Sequence, residues 1–146
     1  MSDFRRVTDD FWASPQIGVA DIAEAKAKGA VMVINNRPDG EAPEDPQGEE
    51  IAQAARAAGL DYVAIPVTHA GFTEAQVAAT IEALARAEGP VLAYCRSGTR
   101  STLLWALAQA RKGRDLDQVT AEAAGAGYDL GSIRPLMEHL AANRDA

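Results

Sequence analysis

The stretch Pro90-Val91-Leu92-Ala93-Tyr94-Cys95-Arg96-Ser97-Gly98-Thr99-Arg100-Ser101 decides how this chain is read. Its first half is a short apolar run entered through Gly89-Pro90, the mark of a buried strand. Ser101 to Gln109 (STLLWALAQ) reads as a helix whose Leu103 or Leu104, Trp105 and Leu107 belong in a core. Strand, tight loop and helix N-terminus thus surround one thiol with backbone N–H groups, which is an anion cradle. The helix N-terminus and the neighbouring Arg96 and Arg100 favour the thiolate over a thiol of ordinary pKa, about 8.5. Gly98 permits positive φ, so that successive N–H groups of Ser97, Gly98 and Thr99 can converge. Arg100 offers a planar fork of donors, and Ser101 can cap the helix or hydrogen-bond the sulfur. A solitary cysteine at a strand end is ordinarily a small hydrophobe. Two arginines, a glycine and hydroxyls around it are not core residues, and they make Cys95 a nucleophile.

Bulk properties set the limits. A chain of 146 residues, 47% hydrophobic and 24% charged, fits one domain, 1–146, with a real core. A net charge of −7 argues against nucleic acid and anionic membrane as partners. One cysteine forms no internal disulfide, and Met1 to Arg6 lacks a signal peptide's apolar segment, so the expected location is cytoplasmic. One cysteine and two histidines are too few for a zinc site, and no metal or cofactor is expected.

The rest of the chain alternates. Phe4–Thr8 and Phe11–Ser14 are short extended segments, Val19–Lys28 a helix stopped by Gly29, and Val31–Asn35 (VMVIN) a central strand. A loop with Pro38, Pro43 and Pro46 among acidic residues leads to a helix over Glu49–Ala58. Tyr62–Val67 is a strand limited by Pro66, and Thr73-Glu74-Ala75-Gln76 is a capping box opening a helix to about Ala87. Helices over 101–112, Asp117–Ala124 and Ser132–Ala142 follow; Asp115 or Asp117 caps the second, Ser132 caps the third, and Pro135 fits its first turn. This predicts an α/β fold, a mostly parallel central sheet flanked by helices with additional helices at the C-terminal end. Ligands bind beyond the carboxyl ends of such strands. That edge gathers Cys95, then Asn36 and Arg37, then Thr68 and His69.

The loop Cys95 to Ser101 resembles the active-site loop of rhodanese sulfurtransferases and, more distantly, that of protein tyrosine and dual-specificity phosphatases. Ser14-Pro15-Gln16, Val33-Ile34-Asn35-Asn36-Arg37-Pro38-Asp39-Gly40-Glu41 and Ala126-Gly127-Tyr128-Asp129-Leu130 extend a more specific resemblance. It is to the phosphatase-like domain of β-lactamase hydrolase-like proteins, over nearly the whole chain. The resemblance implies a tyrosine/dual-specificity phosphatase-like fold and a cysteine-dependent activity. In some relatives the domain is joined to a metallo-β-lactamase-like sulfur dioxygenase or to sulfide-oxidising enzymes, which makes sulfide-oxidation enzymes candidate partners.

Two departures bear on the reaction. The phosphatases place five residues between Cys and Arg with His before the Cys; here four separate Cys95 from Arg100, the rhodanese length, and Tyr94 precedes. The stretch Val67-Thr68-His69-Ala70-Gly71-Phe72 holds no carboxylate where a general acid is expected. His69 and Asp39 are the candidate acids, each equally readable as a solvated loop residue. Sulfur transfer needs no strong acid. The leading expectation is therefore a ping-pong sulfurtransferase that carries sulfane sulfur from thiosulfate or a persulfide through Cys95 to a thiol. Arg96 and Arg100 would orient the small anionic substrate, with Arg37 a weaker contributor. The alternatives are a phosphatase acting on a phosphoester through phosphocysteine, and a noncatalytic module that binds an anion or a partner protein. Redox sensing lacks a second cysteine to resolve a sulfenic acid.

Overall fold

The computed structural model describes residues 2–41, 44–68 and 70–143. Five strands form one sheet: β1 (Arg5–Thr8), β2 (Phe11–Ser14), β3 (Met32–Asn35), β4 (Asp61–Ala64) and β5 (Val91–Tyr94), in the order β1-β2-β5-β3-β4. Only the β1–β2 hairpin is antiparallel; its turn is tied by the Thr8 hydroxyl, which accepts from the N–H groups of Asp10 and Phe11. Helices α1 (Val19–Ala27), α2 (Gly48–Ala57), α3 (Glu74–Arg86), α4 (Thr99–Arg111), α5 (Leu116–Gly125) and α6 (Arg134–Ala142) supply the crossovers and the C-terminal layer.

Side chains alternate across each strand, so each strand feeds two cores. Trp12, Val33, Leu92 and Tyr94 meet α1 and α2 through Ile22, Ala25, Ile51 and Ala55. Phe11, Ala13, Met32, Ile34, Val91 and Ala93 meet α3 to α6. Both faces of the inner strands are covered, which is why they read as apolar runs without polar alternation. Leu104, Trp105 and Leu107 of α4 are all buried, each stabilising by about 2 kcal/mol. Trp105 also stacks on Phe11, centroids 5.5 Å apart. These two anchor α4, and therefore the loop before it, to the sheet.

Local chemistry sets the boundaries. The Thr73 box closes both ways: Thr73 Oγ1 accepts from Gln76 N–H at 3.1 Å and Gln76 Oε1 from Thr73 N–H at 2.8 Å. Asp115, not Asp117, caps α5 through Gln118 N–H at 3.3 Å. Three expectations are corrected. Helix α4 begins at Thr99 rather than Ser101, because Gly98 takes φ +87° as its N-cap, so Ser101 lies inside the first turn and caps nothing. Ser132 does not cap α6 either. Asp129 takes the Gly131 N–H at 2.8 Å, a 3-10 turn covers Gly131–Ile133, and α6 starts at Arg134 with Pro135 in its first turn. Strand β4 ends at Ala64, three residues short of the expected Val67, although Ile65 and Val67 N–H still donate to Asn35 and Asn36 carbonyls.

Because β5 lies between β2 and β3, the carboxyl ends of these three strands are adjacent. Three loops therefore meet at one edge: Pro15-Gln16, Asn36 onward, and Cys95 onward. The neighbour that strand order adds is the Ser14-Pro15-Gln16 segment.

Candidate active site

Cys95 follows β5 directly, and its backbone is pinned to β2: Cys95 N–H donates to Ser14 O at 3.3 Å, and Gln16 N–H to Arg96 O at 3.3 Å. The thiol is buried, and Gly98 N–H donates to Cys95 Sγ at 3.1 Å. Gly98 is required there on two counts. Its φ of +87° disfavours side chains, and a Cβ would stand 2.2 Å from Tyr128 Oη. Tyr128, from the turn after α5, packs under the loop and donates from its hydroxyl to Ser97 O at 3.1 Å. Ser97 and Thr99 lie exposed on the loop, their hydroxyls 3.0 Å apart. Arg96 is exposed and has no hydrogen bond or ion pair from its side chain among the described residues. Ser101 Oγ is buried with no partner among the described residues, so it does not bond the sulfur.

Arg100 is held at the far end of its guanidinium. Its Nη1 donates to Glu41 Oε2 at 2.9 Å and to Val67 O at 2.8 Å, and its Nη2 to Glu41 Oε1 at 2.7 Å. A guanidinium has five N–H groups. With three engaged at the far end, Nε–H and one Nη2–H remain, and these two form the lateral fork. Hydrogen bonding to Glu41 and the nearby Cys95 sulfur raise the Arg100 pKa against burial. The same pair holds the Glu41 carboxyl at about 2, through hydrogen bonds first from Arg100 and then from Arg37, against burial.

Glu41 is the residue that reading the loop missed as a component of the site. The motif quoted above ends on it, but a run of acidic residues gives no sign of which one turns inward. The signal lay in Arg100 itself, because a guanidinium only 22% exposed calls for a carboxylate partner.

The other expected residues fall as follows. Arg37 is buried behind Glu41, not at the thiol: Nε donates to Glu41 Oε1 at 2.9 Å, and Nη1 to Gln16 Oε1 at 2.8 Å and Asp45 Oδ2 at 2.6 Å. Burial disfavours its charge, but hydrogen bonds to Asp45 and Glu41 outweigh this and raise its pKa. Asp39 accepts from Gly48 N–H at 2.8 Å at the start of α2, which commits that oxygen to the helix N-terminus. His69 lies outside the described residues. Tyr94 points to the α1–α2 side of the sheet, away from the thiol, where burial pushes its phenol pKa well up. No cluster of metal-ligating side chains occurs among the described residues.

A thiol at a strand end, the Gly98 N–H directed at it from a helix N-terminus and an arginine fork are the elements of a phosphatase-like, cysteine-dependent fold. The family described as "Beta-lactamase hydrolase-like protein, phosphatase-like domain" matches residues 3–112. The chain belongs to this family. It is 41% identical over 109 residues to the Beta-lactamase hydrolase-like protein of Agrobacterium fabrum, covering 75% of this chain and 25% of that protein. Against the protein of the same description from Xylella fastidiosa strain Temecula1 it is 44% identical over 105 residues, covering 71% and 24%. The chain therefore spans about a quarter of the length of these relatives. Among solved structures, a candidate phosphatase from Neisseria meningitidis superposes with a TM-score of 0.83 at 31% identity, covering 96% of this chain and 99% of that one. PTPMT1 in complex with PI(5)P shares the fold, at TM-score 0.74 and 12% identity, over 97% and 96%. No helix among the described residues is long and apolar enough to cross a membrane.

Proposed function

We propose that this domain hydrolyses phosphoesters through a phosphocysteine at Cys95. The observation that carries the reading is the anchoring of Arg100: its far end is consumed by Glu41 and Val67 O, which leaves Nε–H and one Nη2–H as a lateral fork in the first turn of the helix that follows the thiol. Such a fork matches two oxygens of a phosphoryl group. In the first step Cys95 Sγ attacks phosphorus and the P–O bond to the leaving group breaks. In the second, water attacks phosphorus, the S–P bond breaks, and phosphate leaves as the thiolate is restored. Loop N–H groups at the N-terminus of α4, with the Arg100 fork, stabilise the equatorial charge in both steps. Glu41, held at about 2, is a carboxylate throughout and does not protonate the leaving group. Leaving groups stable as anions, aryl oxides above all, are therefore the favoured class, with the proton taken from water. The family's description and the Neisseria relative support phosphoryl chemistry, and for that reason it stands ahead of the sulfur transfer that the loop length and the missing general acid favour. The test is vanadate-sensitive turnover of an aryl phosphate, lost in Cys95→Ser; a protein that binds vanadate but turns over no phosphoester would refute it.

A second reading remains sulfur transfer, favoured by the four-residue span from Cys95 to Arg100 and by the permanent ionisation of Glu41. Its mark is one sulfur added to the intact mass of the wild type by thiosulfate or glutathione persulfide. Sulfide-oxidation enzymes would be partners only under this second reading.

A further inference from the structure

The sequence reading makes Arg37 a weaker contributor to orienting the anion, outside the loop itself, and its contacts give that contribution a definite form. The structure assigns Arg37 a positioning role: it fixes Glu41, and through Glu41 the direction of the Arg100 fork, without touching the anion itself.

The chain of contacts is continuous. Arg37 N–H donates to Asn35 Oδ1 at 2.8 Å, which sets the residue at the end of β3. Its guanidinium then reaches Gln16, Asp45 and Glu41 at 2.6 to 2.9 Å. Gln16 in turn donates from its backbone to Arg96 O in the cysteine loop. Glu41 Oε1 is shared, accepting from Arg37 Nε at 2.9 Å and from Arg100 Nη2 at 2.7 Å. One carboxylate thus joins an arginine fixed in the sheet layer to an arginine on the rim of the cradle.

Two features argue against a merely structural tie. The Arg37 side chain is only 7% exposed, and a guanidinium this buried is costly to retain where a loop tie alone is needed. The carboxylate it holds is the one that spans both Nη atoms of Arg100. If Glu41 swings, the far end of Arg100 is released, and the lateral fork can rotate out of line with the thiol. A misalignment of this kind weakens anion orientation strongly without removing any charge from the cradle. The inference rests on an anion binding at Cys95, whichever reaction follows.

The test is the ratio of the rates at which iodoacetate and iodoacetamide alkylate Cys95. The neutral reagent corrects for changes in thiol reactivity and access, so the ratio reads the attraction of the cradle for an anion. Arg100→Ala sets the lower limit. Arg37→Met is expected to lower the ratio about tenfold, towards the Arg100→Ala value. Arg37→Lys is expected to fall between, because one ammonium cannot hold Gln16, Asp45 and Glu41 together. Adding Glu41→Gln to Arg37→Met should lower the ratio no further, since both act through one contact. Wild-type ratios in a cooperatively folding Arg37→Lys or Arg37→Met overturn the inference, as does an additive double variant. Equal ratios for wild type and Arg100→Ala overturn it together with the anion-binding fork. Absence of phosphatase turnover with the ratios as expected refutes only the phosphoester reading.

Discussion

Glu41→Gln removes the charge from the carboxylate that holds both arginines while keeping its shape. The folded-state pKa of Glu41, about 2, lies below its ordinary 4.5. A depressed carboxyl pKa contributes stability that is present above the unfolded value and is lost as pH falls through the folded one. The difference corresponds to about 3 kcal/mol at pH 7 and about 1 kcal/mol at pH 3, each a ceiling because the side chain is 22% exposed. Glutamine mimics the protonated acid. Urea unfolding should therefore show Glu41→Gln less stable than wild type by about 2 kcal/mol at pH 7, with the gap closing to below about 1 kcal/mol at pH 3. The slope of each unfolding curve reports whether the two proteins expose the same surface. A gap of equal size at both pH values would refute the reasoning, because it would mean that the amide is rejected for its shape rather than its missing charge.

Gly98→Ala forces a side chain into φ +87° and against Tyr128 Oη, and should cost about 3 kcal/mol with loss of Cys95 reactivity. Tyr128→Phe in the same chain should recover part of that loss, measured by urea unfolding; strict additivity would deny the contact. Trp105→Ala should cost about 3–5 kcal/mol in unfolding free energy, because it empties the stack on Phe11 that anchors α4 to the sheet. A loss below about 1 kcal/mol would show that α4 is anchored by something else.

Much of the fold is legible in the residues. Apolar runs such as VMVIN and VLAY can hardly be anything but strands covered on both faces, and Thr73 with Gln76 starts a helix by hydrogen bonds within four residues. Gly98 likewise declares its own backbone conformation. Interactions of this kind are local, so spacing and residue type suffice to define them. The helix starts that moved, at Ser101 and Ser132, were set by the turns before them: Gly98 at φ +87° opens α4 two residues early, and the 3-10 turn Gly131–Ile133 delays α6 to Arg134.

Cys95 and its loop are likewise readable from the sequence, since a strand, a glycine turn and a helix N-terminus are contiguous. The partner of Arg100 is not. Glu41 lies 59 positions away, one acid among several in a proline-rich loop, and only the placement of β5 between β2 and β3 brings that loop beside the cradle. The same strand order makes Arg37, expected only as a weaker contributor to anion orientation, the buried holder of Glu41, and commits Asp39 to the N-terminus of α2. Residue chemistry determined that a thiol sits where a strand runs through a glycine turn into a helix N-terminus. Which charges surround that loop was decided by tertiary structure, because charge pairing depends on distances that strand order, not chain order, sets.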